Sequence, residues 1–241
     1  MLLCSQPACL DNSKSEISVA VASNFAATAK EIAMRFENQT GISVRISVGS
    51  TGKHFAQISN GAPFDVFLAA DSKRPEMLEK NGVAQPNTGF VYAEGQLVFW
   101  SADKERFSGT EVDSFLTKNE RLAIANPRLA PYGLAAKEAL RNLKLEDAQT
   151  SKRIVQGENV SQAFHFVASG NAEVGLVAFS QVLTLPKENA GSHWVIPGDL
   201  YEPIEQRAVL LSDSKDAKRF LEFLRSPESR ELIRRHGYLT P

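Results

Sequence analysis

What most constrains the fold of this chain is a repeated change of hydrophobic period: short, nearly continuous apolar runs, each followed by a segment with helical spacing. Ile17-Ser18-Val19-Ala20-Val21-Ala22 leads into Phe25, Ala29, Ile32, Ala33 and Phe36, whose spacings of three and four mark one helix face, closed by Gly41. Val44 to Val48 leads into Phe55 and Ile58, and Asp65 to Ala70 into a helix around Pro75 to Lys80, where a proline suits the first turn. A second series begins at Gln96 to Trp100, continues through Leu122 to Ala125 and a helix from Ala135 to Leu143, and reaches Val174 to Ala178. After Glu202-Pro203 come one more strand, Ala208 to Leu211, and a closing helix pair through Phe220, Leu224, Leu232 and Ile233. Strands alternating with helices predict mostly parallel sheets covered on both faces. The fold class expected is α/β, as two Rossmann-like lobes with a ligand cleft. The expected division is a leader over 1–16, lobe 1 over 17–94 plus 203–241, and lobe 2 over 95–202. Glu94 and Glu202 then stand at the two crossings, where solvated charge is the default reading.

At 241 residues the chain can bury a sizeable core as one large or two small domains. Its 27 basic and 28 acidic residues give a net charge of −1, so no global field favours nucleic acid or an anionic membrane surface. Both cysteines, Cys4 and Cys9, fall in the first ten residues, which removes thiol catalysis and Cys-based metal sites from everything after Leu10. The opening MLLCSQPACLDNSKSE has too short an apolar part to span a bilayer and lacks a basic start. It reads as a leader, the remnant of an export signal that is incomplete or absent.

The stretch GSTGKH, Gly49 to His54, follows a strand and invites comparison with a nucleotide P-loop. It fails on spacing: a P-loop has four residues between its glycines and a hydroxyl residue after its lysine, whereas here two residues separate Gly49 and Gly52, and His54 follows Lys53. A small-residue turn opening a helix remains an anion-binding geometry. Three other strand-to-helix junctions carry comparable chemistry: Ser23-Asn24 after Ala22, Pro131-Tyr132-Gly133 after Asn126-Pro127, and Asn159-Val160-Ser161 after Glu158. Hydroxyl and amide residues at such places are good N-caps, and capping alone accounts for any one of them. Four on the same side of their sheets point to more. Each helix start carries roughly half a unit of positive charge, so four aimed at one cleft supply on the order of two, enough to match a dianion without Lys or Arg. Lys53 is expected at the rim and His54 on the surface. His165, His193 and His236 lack the spacing of a zinc-binding helix, so no metal cation site is expected. There is no G-x-S-x-G elbow, and no residue stands out as catalytic.

At these junctions the chain resembles the periplasmic molybdate-binding proteins that deliver oxyanion to an ABC permease. The matching stretches are VASNFAATAKEIAMRFENQTG, VGSTGKHFAQISNGAPFDVFLAAD, IANPRLAPYGLAAKEAL, GENVSQAFHFVASGNAEVGLVAFS, and GSHWVIP followed by YEPIEQRAVLL, which run in family order from about Ile17 to Tyr238. The resemblance implies a type II periplasmic binding protein fold with a two-strand hinge. It places the oxyanion ligands on Ser23, Asn24, Ser50, Thr51, Tyr132, Asn159 and the backbone of Val160. Some relatives take a tyrosine after the later strand, where this chain has Ala178; Tyr132 then supplies the phenol, as in one subgroup. The resemblance further implies molybdate or tungstate as ligand, no cofactor, no enzymatic activity, an ABC transporter permease as partner, a monomer, and a periplasmic or extracytoplasmic location. The alternatives are a binding protein for sulfate or phosphate, and a sensor domain of the same fold.

Overall fold

The computed structural model describes residues 15–107, 120–146 and 152–241, so the leader reading, with Cys4 and Cys9, lies outside the described residues except for its last two positions. Two five-stranded sheets organise the chain. The first holds β1 (Glu16–Ala22), β2 (Ser43–Gly49), β3 (Val66–Leu68), β4 (Phe90–Gly95) and, from the end of the sequence, β10 (Ile204–Leu210). Their order is β2-β1-β3-β10-β4. The second holds β5 (Leu97–Ser101), β6 (Leu122–Ala125), β7 (Ile154–Gly157), β8 (Val174–Ala178) and β9 (Ser192–Val195), in the order β7-β6-β8-β5-β9.

Both sheets are mixed, which corrects the expectation of mostly parallel ones. Strands β2-β1-β3 and β7-β6-β8 are parallel, while β10 runs antiparallel to β3 and β4, and β5 antiparallel to β8 and β9. The reason lies in the connections. A parallel neighbour needs a crossover of a dozen or more residues, usually through a helix. The two strands that run against both their neighbours, β5 and β10, are the ones that directly follow a passage from one sheet to the other, β5 from β4 through Gln96 alone and β10 after β9, rather than a β-helix-β crossover within one sheet. The three strands with no counterpart in the apolar runs, β4, β7 and β9, are all edge strands. An edge strand is only partly covered, and β9 alternates between half-buried and exposed positions where the inner strands β5, β6 and β8 are buried throughout.

The helices are α1 (Ala26–Thr40), α2 (Thr51–Ser59), α3 (Lys73–Lys80), α4 (Pro131–Asn142), α5 (Val160–Ala168), α6 (Phe179–Leu183), α7 (Lys215–Leu224) and α8 (Pro227–Arg235). Each sheet has its own apolar core, and the core of the second reaches Ala22, Ala70 and Ile204 at the ends of strands in the first. On α2 the buried stripe is Thr51, His54 and Ile58. His54 is therefore interior, 2% exposed, against the surface position expected. Its ring meets Phe64 and Phe67 edge-on, and its Nδ1 lies 3.2 Å from Gln57 Oε1, so α2 turns an imidazole rather than Phe55 toward the sheet. Where the chain crosses between sheets, Gly95 pairs with Ile204, the backbone of Glu94 pairs with Leu239, and Glu202 is exposed. No described helix is long and apolar enough to cross a membrane.

Candidate functional site

The strand-to-helix junctions differ in how they are built. At α2, Ser50 is extended (φ −75°, ψ 147°) and its Oγ accepts from Lys53 N at 3.3 Å, while Thr51 Oγ1 accepts from Ala70 N at 3.0 Å. At α5, Asn159 caps by accepting from Gln162 N at 3.1 Å, and Val160 is the first helical residue, whose N–H lies among those a helix cannot satisfy internally. The other two junctions carry no side-chain cap, which corrects the expectation of four. Ser23 and Asn24 sit inside a 3-10 turn (Ser23–Phe25) ahead of α1, and α4 starts from Ala130 with Pro131 in its first turn.

Contacts between the two sheet units bring all four junctions to one place. Gly52 N donates to Leu129 O at 2.8 Å. Ser161 Oγ donates to Ser23 O at 3.1 Å, and Ser180 Oγ to Asn24 O at 3.4 Å. Lys53 Nζ pairs with Glu158 at 3.3 Å, half exposed, so it stands at the rim as expected. A Cβ at Gly52 would lie 2.9 Å from Leu129 O and 3.0 Å from its Cα, closer than side-chain carbons normally approach backbone. Glycine at this position is what lets the two backbones meet.

Ser23, Asn24, Ser50, Thr51, Tyr132 and Val160 are all buried, and Asn159 is half-buried. Beneath them lies a polar cluster that the residue patterns did not single out. Gln206, on β10, is 0% exposed, and its Oε1 accepts from Asn24 Nδ2 at 2.8 Å. Tyr92 Oη lies 3.2 Å from Gln206 Oε1 and 3.1 Å from Ala69 O, sharing one proton between them. Tyr238 Oη donates to Asn24 O at 2.8 Å and lies 3.2 Å from Asn24 Nδ2. The Tyr132 hydroxyl is buried with no geometrically formed hydrogen bond, and so is Gln206 Nε2. Both end over Gly95: a Cβ there would lie 2.1 Å from Tyr132 Oη and 2.9 Å from Gln206 Nε2. Burial holds the Tyr132 and Tyr92 phenols well above their usual range and pushes Tyr238 up to about 12, so all three stay protonated. A signal for Gln206 does exist in the sequence, because it shares the inward face of β10 with Ile204 and Ala208, a polar residue in an apolar series.

No Lys, Arg, Asp or Glu is among the described buried residues, so whatever binds at these junctions meets neutral dipoles. No group of three His, Cys, Asp or Glu placed to hold a metal ion occurs among the described residues. A separate open groove of about 510 Å³ runs alongside, between α2 and α3 on one side and residues 127–135 on the other. Asp71, Arg74, Arg128 and Glu202 line it, and none of the seven candidate residues does.

Two mixed α/β sheets, linked through paired crossing strands and with helix starts facing each other, have the architecture of a periplasmic binding protein. The chain belongs to the family described as bacterial extracellular solute-binding protein, which matches residues 17–239. It is 48% identical over 228 residues to the molybdate-binding protein ModA of Azotobacter vinelandii, covering 92% of this chain and 89% of that one. It is 45% identical to ModA of Rhodobacter capsulatus, covering 93% and 88%. The solved structure of the A. vinelandii periplasmic molybdate-binding protein superposes with a TM-score of 0.88 at 40% identity, over 93% of this chain and 99% of that chain.

Proposed function

We propose that this chain is an extracytoplasmic binding protein that captures molybdate, and tungstate with it, and hands it to the permease of an ABC transporter. The observation that carries this reading is the state of the hydroxyls at α2. Each has already accepted a backbone N–H, Ser50 from Lys53 and Thr51 from Ala70, and each keeps its own proton to donate. Tyr132 is protonated and unpartnered, and Ser23 Oγ has no partner among the described residues. Both hydrogens of Asn24 Nδ2 are engaged by Gln206 and Tyr238, so Asn24 has its backbone N–H to offer, as does Val160. With N–H groups that can only donate and α2 hydroxyls whose oxygens already accept, the site favours an anion that only accepts.

Molybdate and tungstate are fully ionised at neutral pH, whereas hydrogen phosphate carries a proton that would turn one of these hydroxyls from donor to acceptor. Sulfate is excluded by size rather than by protonation. In this reading residues 17–94 and 203–241 form one lobe and 95–202 the other, and the anion docks on one before the other closes. The bound state gains donors from both lobes, the differential affinity that drives closure. The chain acts by capture, with no catalytic step, and works as an exported monomer without nucleic acid. Its likeness to the ModA proteins supports the choice of anion.

Calorimetric titration with molybdate, tungstate, sulfate and phosphate tests it. Tight binding of the first two with weak or no binding of the others is expected; tight sulfate binding without response to molybdate would overturn it.

A further inference from the structure

We propose that Gln206 is a positioning residue for anion capture, fixing which way the Tyr132 hydroxyl aims its proton. The proposal rests on the capture reading above and goes beyond it, since Gln206 itself touches no anion. Its side chain has two ends with different tasks. The oxygen is held within the first sheet unit, accepting from Asn24 at 2.8 Å and lying 3.2 Å from Tyr92 Oη. The nitrogen end is left over, buried and without a formed hydrogen bond, beside the Tyr132 hydroxyl, which arrives from α4 of the other unit in the same condition.

A primary amide nitrogen can only donate, and a phenol oxygen can both donate and accept. When the two close on each other the phenol oxygen must be the acceptor, and its proton is left to point away, toward the anion. If a carboxylate or carbonyl stood in place of that nitrogen, the phenol proton would turn inward and the cage would lose a donor. Two details agree. Gly95 leaves room for this approach, because any Cβ there would collide with the Tyr132 hydroxyl at 2.1 Å. Gln206 is also the one neighbour that works against burial at the Tyr132 phenol, as a donor to that oxygen would. The pairing also ties Asn24, on one side of the cage, to Tyr132 on the other through a single side chain.

The test is a double-mutant cycle in molybdate affinity, read by calorimetry on the full chain, with thermal unfolding of each ligand-free variant beside it. Gln206→Met alone is expected to weaken binding about tenfold, the scale of one hydrogen bond to a charged ligand. In a Tyr132→Phe background the same change is expected to cost less than about twofold, because there is no longer a proton to aim. Gln206→Glu serves if the Met variant does not fold. It keeps the oxygen that Asn24 and Tyr92 use but brings a charge as well as an acceptor to the end facing Tyr132, so it is read in both backgrounds: at about pH 8 it is expected to lose at least tenfold, and measurably less with Tyr132→Phe. Equal losses from Gln206→Met with and without the Tyr132 hydroxyl, or wild-type affinity in Gln206→Glu, would overturn the proposal while the capture reading stands. Failure of the wild-type chain to bind molybdate would overturn both.

Discussion

The Ser50-Thr51 junction and the Tyr132 junction face the same space with opposite local chemistry. At the first, every acceptor is committed within the first sheet unit: Ser50 caps its own helix and Thr51 holds the N–H of Ala70. Its geometry is set before any second unit arrives. At the second, α4 starts without a side-chain cap and the phenol ends unpartnered against the far unit. The first junction is a finished surface, and the second is completed only by what it closes on. If the anion is captured here as proposed, one fixed wall and one unfinished wall gain contacts on closing, which is what capture requires.

The largest effect that tests this contrast is expected from Thr51→Ala. It removes a donor from the anion and also leaves Ala70 N–H unsatisfied, so two losses are read separately: about 1–3 kcal/mol in affinity by calorimetry, and about 1–2 kcal/mol in ligand-free stability by denaturant unfolding. Tyr132→Phe is expected to cost about 1–3 kcal/mol in affinity and nothing in ligand-free stability, because the hydroxyl it removes makes no formed hydrogen bond. A stability loss equal to that of Thr51→Ala would break the comparison. Gly52→Ala is expected to act on closure alone, weakening binding by about 1 kcal/mol as the added methyl presses on the Leu129 backbone. Calorimetry reads the loss, and the ligand-free unfolding midpoint should shift less than that of Thr51→Ala.

The smallest effect is one of pH. Burial, with a minor contribution from Lys53, lowers the His54 pKa from its usual 6.5. The unfolded chain therefore takes up a proton before the folded one does. This contribution to stability is complete above 6.5 and is lost as pH falls toward the lowered folded value. In His54→Gln that part of the acid slope should be missing when denaturant midpoints at about pH 8 and pH 5 are compared. An unchanged slope would mean that His54 is not held neutral under the sheet.

The sequence made the inner strands legible because strands covered on both faces read as unbroken apolar runs, as in Val174 to Ala178, and it hid β7 and β9 because a half-covered edge carries no such run. The antiparallel placement of β5 and β10 was equally hidden, since strand direction depends on whether a connection contains a crossover, not on the strand's own residues. Six of the seven candidate residues were visible as hydroxyl or amide residues at helix starts, and Val160 stood beside one of them, its backbone implied by the family resemblance. What they do there was not visible: Ser23 and Asn24 looked like caps and lie inside a turn, and Thr51 looked like a cap and holds Ala70. The backing of the site came from far along the chain, with Gln206 182 residues from Asn24 and Tyr238 214 residues from it. Only the odd polar residue on the inward face of β10 marked it locally.

The open groove beside the cage gives the account its sharpest alternative, because it is roomy and carries Arg74 and Arg128, both suited to an anion. Anomalous diffraction from crystals of the chain grown with molybdate decides between them. The account predicts one molybdenum peak enclosed between the units, with oxygens in hydrogen-bond reach of the Ser50, Thr51 and Tyr132 hydroxyls and of the Asn24 and Val160 N–H groups. A peak in the groove beside Arg74, with the cage empty, would contradict it.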